Sequence, residues 1–261
     1  MNEFKGKIAG VVLLFFLLVL VSSLVFFQPT NKTTGEDKVI EITGNQLLTQ
    51  LNYLSFAKLD GASVSAEVTL PVIKDRLEKH PYISKADVEY LSKTKIKASV
   101  TEKNIFAIIL TDEETFFITE DFEVLPILPN VEMMEFPLIS NLRESKKIKA
   151  LKILRSSEML EAFRIIEAAR FTEMSLYKNL VEINLRNGGD IILTFSGMKA
   201  PIIFGHGHES RKMLSLEVIF KEIADAKKDY STADYIDLRF SNEIYIGKSF
   251  DTKYQSTGLS E

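Results

Sequence analysis

The stretch Gly205-His206-Gly207-His208-Glu209-Ser210 concentrates the side chains most able to do chemistry: two of the chain's three histidines, a carboxylate and a hydroxyl, spaced by glycines. It follows a short β-branched run and opens a long apolar-periodic one, where a phosphate-cradling loop would stand. Ser210, however, takes the position of the third glycine, the strands around it read as antiparallel, and no basic residue immediately precedes it. As metal ligands, His206 and His208 could turn both rings to one side beside Glu209. His80 is remote in sequence, though, and the glycines make the loop compliant. A tight strand-to-helix connection is the better reading. Asp237-Leu238-Arg239 sets opposite charges on one strand face, which a surface ion pair explains. No G-x-S-x-G elbow, H-E-x-x-H pair or phosphate loop occurs. The absence of cysteine excludes thiol nucleophiles, Cys-ligated zinc, iron–sulfur clusters and disulfides. The expectation is a protein that is not an enzyme and needs neither cofactor nor metal.

These residues belong to a chain of 261 residues, 46% apolar and 26% charged, which is ordinary globular usage. Lys and Arg number 32 and Asp and Glu 36, a formal charge of −4. That balance speaks against a nucleic-acid binder acting through bulk charge.

Ile8 to Phe27 carries no charge over 20 residues. As a helix it would span roughly 30 Å, the thickness of a hydrocarbon core. A cleaved secretory signal would be shorter and end at small residues, whereas Leu24-Val25-Phe26-Phe27 runs on past Ser22-Ser23. The run therefore reads as an uncleaved transmembrane helix. Lys5 and Lys7 lie close before it, favouring a cytoplasmic tail 1–7 and an extracytoplasmic remainder.

The polar spacer Gln28 to Lys38 leads into the strand Val39-Ile40-Glu41-Ile42. Leu47, Leu48, Leu51 and Leu54 then predict a helix near 46–57, and Pro71, Ile73 and Leu77 a second, ended by His80-Pro81. Ala86, Val88 and Tyr90, then Ile96, Ala98 and Val100, alternate as a hairpin around Ser92-Lys93. Residues 39–103 thus form a small βααββ module. Beyond Ile105 the pattern is β-rich, with strands at 105–110, 115–118 and 123–125, and a solvated connection or helix surface over 141–155. Helices follow at Met159–Ala169 and Met213–Ile223, with an Asn187-Gly188 hairpin between them. A strand is expected over Pro201–Phe204. Strands are also expected over Tyr235–Phe240 and around Ile244 and Ile246, before a flexible tail 249–261. The class is α+β: a transmembrane helix, a βααββ module and a β-rich domain, 104–248, with amphipathic helices.

This layout resembles the bacterial FtsQ/DivIB cell-division family, and five segments carry the likeness. They are Val39-Ile40-Glu41-Ile42-Thr43-Gly44-Asn45, Leu77-Glu78-Lys79-His80-Pro81-Tyr82-Ile83, Ile96–Val100 with Thr101-Glu102-Lys103, Phe117-Ile118-Thr119-Glu120-Asp121-Phe122, and Tyr235-Ile236-Asp237-Leu238-Arg239-Phe240. Thr119 and Phe122 stand where the family pattern has Asp and Gly. The resemblance implies a POTRA domain at 39–103 followed by a β domain. It also implies a non-enzymatic scaffold in the cytoplasmic membrane at the division septum, with other divisome membrane proteins as partners. The β domain would bind the FtsB/FtsL-type (DivIC/FtsL) coiled-coil pair. The last strand, expected at a sheet edge, would supply the contacts: Phe240, Asn242, Ile244, Tyr245, Ile246 and Lys248. A reading from another class is an envelope-anchored hydrolase or ligand-binding receptor. It would need a convergent polar cluster.

Overall fold

The computed structural model describes residues 38–60, 68–132, 135–225, 233–240 and 243–247, together with Val19. The expected membrane run lies outside these residues apart from Val19. Among the described residues no helix is long and apolar enough to cross a membrane.

The first sheet holds β1 (Val39–Thr43), β2 (Ile83–Tyr90) and β3 (Lys95–Glu102) in the order β1-β3-β2. β1 runs parallel to β3, because two helices carry the chain across before β2 and β3 close an antiparallel hairpin. The helices are α1 (Gln50–Phe56) and α2 (Leu70–Glu78). α1 starts later than the leucine spacing suggests. Thr49 caps it by accepting the Asn52 N–H, so Leu47 and Leu48 enter the core from the loop before it. α2 takes Pro71 in its first turn, where the missing N–H is harmless.

The second sheet has nine strands in the order β12-β11-β10-β9-β8-β7-β4-β5-β6. They are β4 (Ile105–Leu110), β5 (Thr115–Thr119), β6 (Val124–Pro126), β7 (Leu138–Ser140), β8 (Leu180–Asn184), β9 (Ile192–Phe195), β10 (Ile202–Ile203), β11 (Tyr235–Asp237) and β12 (Tyr245–Gly247). One core forms where α3 (Ser157–Thr172) and α5 (Glu209–Ala224) bury Met159, Ile166, Met213 and Leu216 with Ile183, Leu193, Ile202 and Ile236 of the sheet. A short α4 (Met174–Asn179) links α3 to β8. Three expectations are corrected. β10 and β11 are parallel, so the sheet is mixed rather than antiparallel. β8 and β9 are joined by a loop over 185–191 rather than a two-residue turn. Its Asn187 N–H donates to Asn141 O instead of closing the hairpin. The connection 141–155 is not wholly solvated: Leu142 is buried and residues 151–154 run beside β6.

Only Lys103 and Asn104 separate β3 from β4. The Glu102 carboxylate accepts the Gln46 and Leu47 N–H groups and the Tyr53 hydroxyl, while Lys103 pairs with Glu123 at 2.8 Å. The Tyr82 hydroxyl donates to Pro126 O at 2.7 Å and accepts the Leu128 N–H at 2.9 Å. Phe117 and Leu125 of the second sheet complete the core of the first. At the β5–β6 turn the two family departures find their explanation. Thr119 Oγ1 accepts the Glu123 N–H at 3.1 Å, as an Asp oxygen would. Phe122 takes the glycine-favouring φ of 65°. Its ring stacks on Phe163 at 4.1 Å, which offsets the left-handed strain.

His80, 3% exposed, sits among the rings of Tyr53, Phe56 and Tyr82, and its Nδ1 accepts the Tyr82 N–H. Burial first, and the Lys103 charge second, push its pKa down from 6.5 to about 4. The folded state keeps the ring neutral where the unfolded chain binds a proton. Its contribution is therefore full above the unfolded pKa and is lost as pH falls through the folded one. The loss between these limits should be on the order of 1–3 kcal/mol. His80→Asn, which keeps an acceptor for Tyr82, should flatten urea midpoints measured between these two pKa values. An unchanged slope would assign the acid sensitivity to another group.

Candidate partner-binding edge

β12 ends the second sheet and pairs antiparallel with β11, Ile236 opposite Ile246. The Ile236 N–H donates to Pro201 O and the Leu238 N–H to Ile203 O, so the backbone of Ile236 faces β10. By alternation, Tyr235 and Asp237 face β12. Ile236 and Ile246 are then a non-hydrogen-bonded pair, with the Ile246 N–H and C=O turned outward.

The other three sheet edges are covered to different extents, β1 and β6 along much of their length and β2 at one amide. On β1, the Gln50 carboxamide accepts the Ile42 N–H and donates to Ile40 O, both at 3.2 Å, occupying the place of a neighbouring strand's peptide group. On β2, the Glu78 carboxylate accepts the Ala86 N–H at 3.1 Å. Along β6, the Val124 N–H donates to Lys152 O and the Leu151 and Leu154 N–H groups donate to Val124 O and Phe122 O. Among the described residues, nothing comparable covers β12.

Of the six expected contact residues, Phe240, Ile244, Tyr245 and Ile246 are 41–51% exposed, and Asn242 and Lys248 lie outside the described residues. The Phe240 and Tyr245 rings meet edge-on at 4.8 Å, and the Tyr245 hydroxyl donates to Glu243. Behind them the Tyr235 ring lies over Gly247, where a Cβ would come within 2.1 Å of it. Any larger residue at 247 would have to displace that ring.

The charged motif beside this edge is not a surface ion pair. Asp237 is 4% exposed. Arg239 folds back on it, with Nε and Nη2 donating at 2.6–3.1 Å and the backbone N–H at 3.0 Å, while Nη1 reaches Asp190 at 2.7 Å. That turn ends β11 at Asp237, short of the expected Phe240. The Arg239 hydrogen bonds hold the Asp237 carboxyl below the usual carboxylate range. Arg239 passes over Gly205, whose φ of +65° and 2.7 Å Cβ clearance leave room only for glycine.

The histidine loop is gripped from both helices. Glu161 of α3 meets His206 Nδ1 at 3.0 Å and accepts the Gly207 N–H at 3.1 Å. The buried Lys212 of α5 donates to Phe204 O and His206 O at 2.6 and 3.0 Å. His208 caps α5 and contributes no side-chain bond there. Among the described residues no group of three or more His, Asp or Glu is placed to hold a metal ion. Sequence reasoning did not find Glu161, Asp190 or Lys212. The one available signal was Lys212 itself, a charge in register with the Leu216 and Ile223 stripe of α5. A cleft of about 650 Å³ opens at the joint between the sheets, but Glu102, Lys103 and Glu120 beside it already bond to protein groups.

Asp237→Asn should cost about 1.5–3 kcal/mol, the worth of hydrogen bonds to a buried charge. Asp190→Asn, at the exposed end of Arg239, should cost under about 1 kcal/mol. Urea unfolding at neutral pH measures both. Equal losses would mean that the burial of Asp237 is not what matters.

No family model matches the chain. It is 21% identical over 209 residues to the cell division protein FtsQ of Geotalea daltonii, covering 80% of this chain and 74% of that one. It is likewise 21% identical over 207 residues to the cell division protein FtsQ of Syntrophotalea carbinolica, covering 79% and 72%. The likeness read from five short motifs thus extends along most of the chain, which is similar to bacterial cell division proteins named FtsQ.

Proposed function

We propose that this chain is a non-enzymatic, membrane-anchored scaffold of the bacterial division machinery. Its second sheet takes up an FtsB/FtsL-type (DivIC/FtsL) coiled-coil partner by strand addition at β12. Ile8–Phe27 holds it in the cytoplasmic membrane with residues 39–103 and 104–248 outside, at the septum. The similarity to two proteins named cell division protein FtsQ supports the cellular role. The observation that carries the binding mode is the contrast between the two edges of the second sheet: residues 151–154 run along β6, whereas the outward groups of Ile246 on β12 have no such cover among the described residues. Strand addition draws affinity from backbone bonds and specificity from alternate side chains. Phe240, Asn242, Ile244, Tyr245, Ile246 and Lys248 form the contact set.

Ile246→Pro tests this reading. It removes an outward N–H and leaves intact the bonds of Tyr245 and Gly247 to β11. Co-purification of the coiled-coil partner should be lost while the thermal midpoint stays within a few degrees. A variant that keeps both its midpoint and its partner would rule out the edge as the interface.

A further inference from the structure

The hairpin tip joining β2 to β3 lies at the end of the first sheet remote from the second. β3 starts at this tip with Lys95 and ends at the joint with Glu102. β1 starts here too, Val39 in register with Lys95 and its N–H donating to Thr94 O. Three apolar side chains that a soluble sheet end would ordinarily hide stand out together. Val39 is 58% exposed, Tyr90 51% and Leu91 52%. Lysines surround them. Lys38 Nζ reaches the Tyr90 hydroxyl at 3.5 Å and stands 5.1 Å from its ring centroid. Lys93 and Lys95 are exposed and make no salt bridge among the described residues. Lys97, by contrast, is flanked in register by Glu41 and Glu89, so among the described residues the lysines without a carboxylate in register sit at the tip itself.

We infer that this tip rests on the anionic headgroup layer of a lipid bilayer, with Tyr90 and Leu91 entering the interface and Lys38, Lys93 and Lys95 meeting lipid phosphates. A tyrosine with a wet hydroxyl and an apolar ring suits that layer, and lysines can reach headgroups from long stems. The occupant is argued from where the chain comes from. Ten residues, 28–37, separate Phe27 from Lys38, so the tip lies within about 40 Å of the end of the apolar run. The inference rests on the anchor reading of Ile8–Phe27. Each lysine near an anionic surface contributes about a fivefold factor in affinity. A protein partner at the same tip is the competing occupant.

The chain contains no tryptophan, so Leu91→Trp gives a single reporter in the full-length protein. The protein is reconstituted in phosphatidylcholine vesicles with and without phosphatidylglycerol. With the anionic lipid, emission from position 91 should shift to the blue and be quenched by lipids brominated on their acyl chains. Lys93→Gln with Lys95→Gln should lower the ratio of docked to free tip about 30-fold at low salt. A Phe171→Trp reporter on α3, 85% exposed, should stay water-like throughout. Water-like emission at 91 with phosphatidylglycerol would overturn the inference. So would an equal shift without it, a shift without bromine quenching (burial against protein), or an equal shift at 171. Resistance of the vesicle-bound chain to an alkaline carbonate wash reports on the anchor separately. An extractable chain that still shows the shift at 91 would overturn the anchor alone.

Discussion

Every open β-sheet ends in two rows of backbone donors and acceptors that must find a partner, water or another chain. In this molecule that constraint is met by different devices at different edges. A glutamine amide stands in for a strand on β1, a glutamate takes the single β2 amide that α2 can reach, and the chain itself returns along β6. Much of the local architecture follows from these closures. α1 must begin near Thr49 for Gln50 to lie along β1, and α2 must end near Glu78 for that carboxylate to meet Ala86. β12 lacks a comparable cover among the described residues, and what surrounds it holds it still instead. Tyr235 lies over Gly247, and Arg239 ties the end of β11 to Asp237 and Asp190.

Where local physics dominates the amino-acid pattern, sequence and structure agree. Ile96, Ala98 and Val100 are buried as their alternation requires, and Met159, Ile166 and Ala169 line the inner face of α3. Mixed α and β structure followed from those periods. The misses share a cause, which is tertiary partners that leave no periodic trace. β7 is three residues long and gains its place in mid-sheet from parallel pairing to both β4 and β8. Asn187-Gly188 suggested a tight hairpin, but Arg143 Nε donates to Asn187 O and Arg239 draws on Asp190, and both contacts hold the loop wide.

The edge was legible for a simpler reason: a last strand often ends a sheet. Its chemistry was not. Which way the Ile246 amide points depends on the parallel pairing of β10 with β11, and two-residue β10 carries no sequence signal for that. The histidine loop shows the converse. His206 drew notice as a reactive side chain, whereas the groups that shape the loop are a glutamate on one helix and a buried lysine on the other.

The joint at Tyr82 has a mechanical consequence. With a two-residue connection, a shared core and a tyrosine hydroxyl bonded to both Pro126 and Leu128, the first sheet and the second resist bending against each other. The eight residues of β3 span about 26 Å. Were the chain anchored as proposed and its hairpin tip seated on the bilayer as inferred, the first module would act as a stand-off of fixed length and the far sheet would ride at a set altitude above the surface. A rod-like coiled coil rising from the same surface would meet β12 only with the segment that reaches that altitude. The joint would thus measure off which stretch of the rod becomes the added strand.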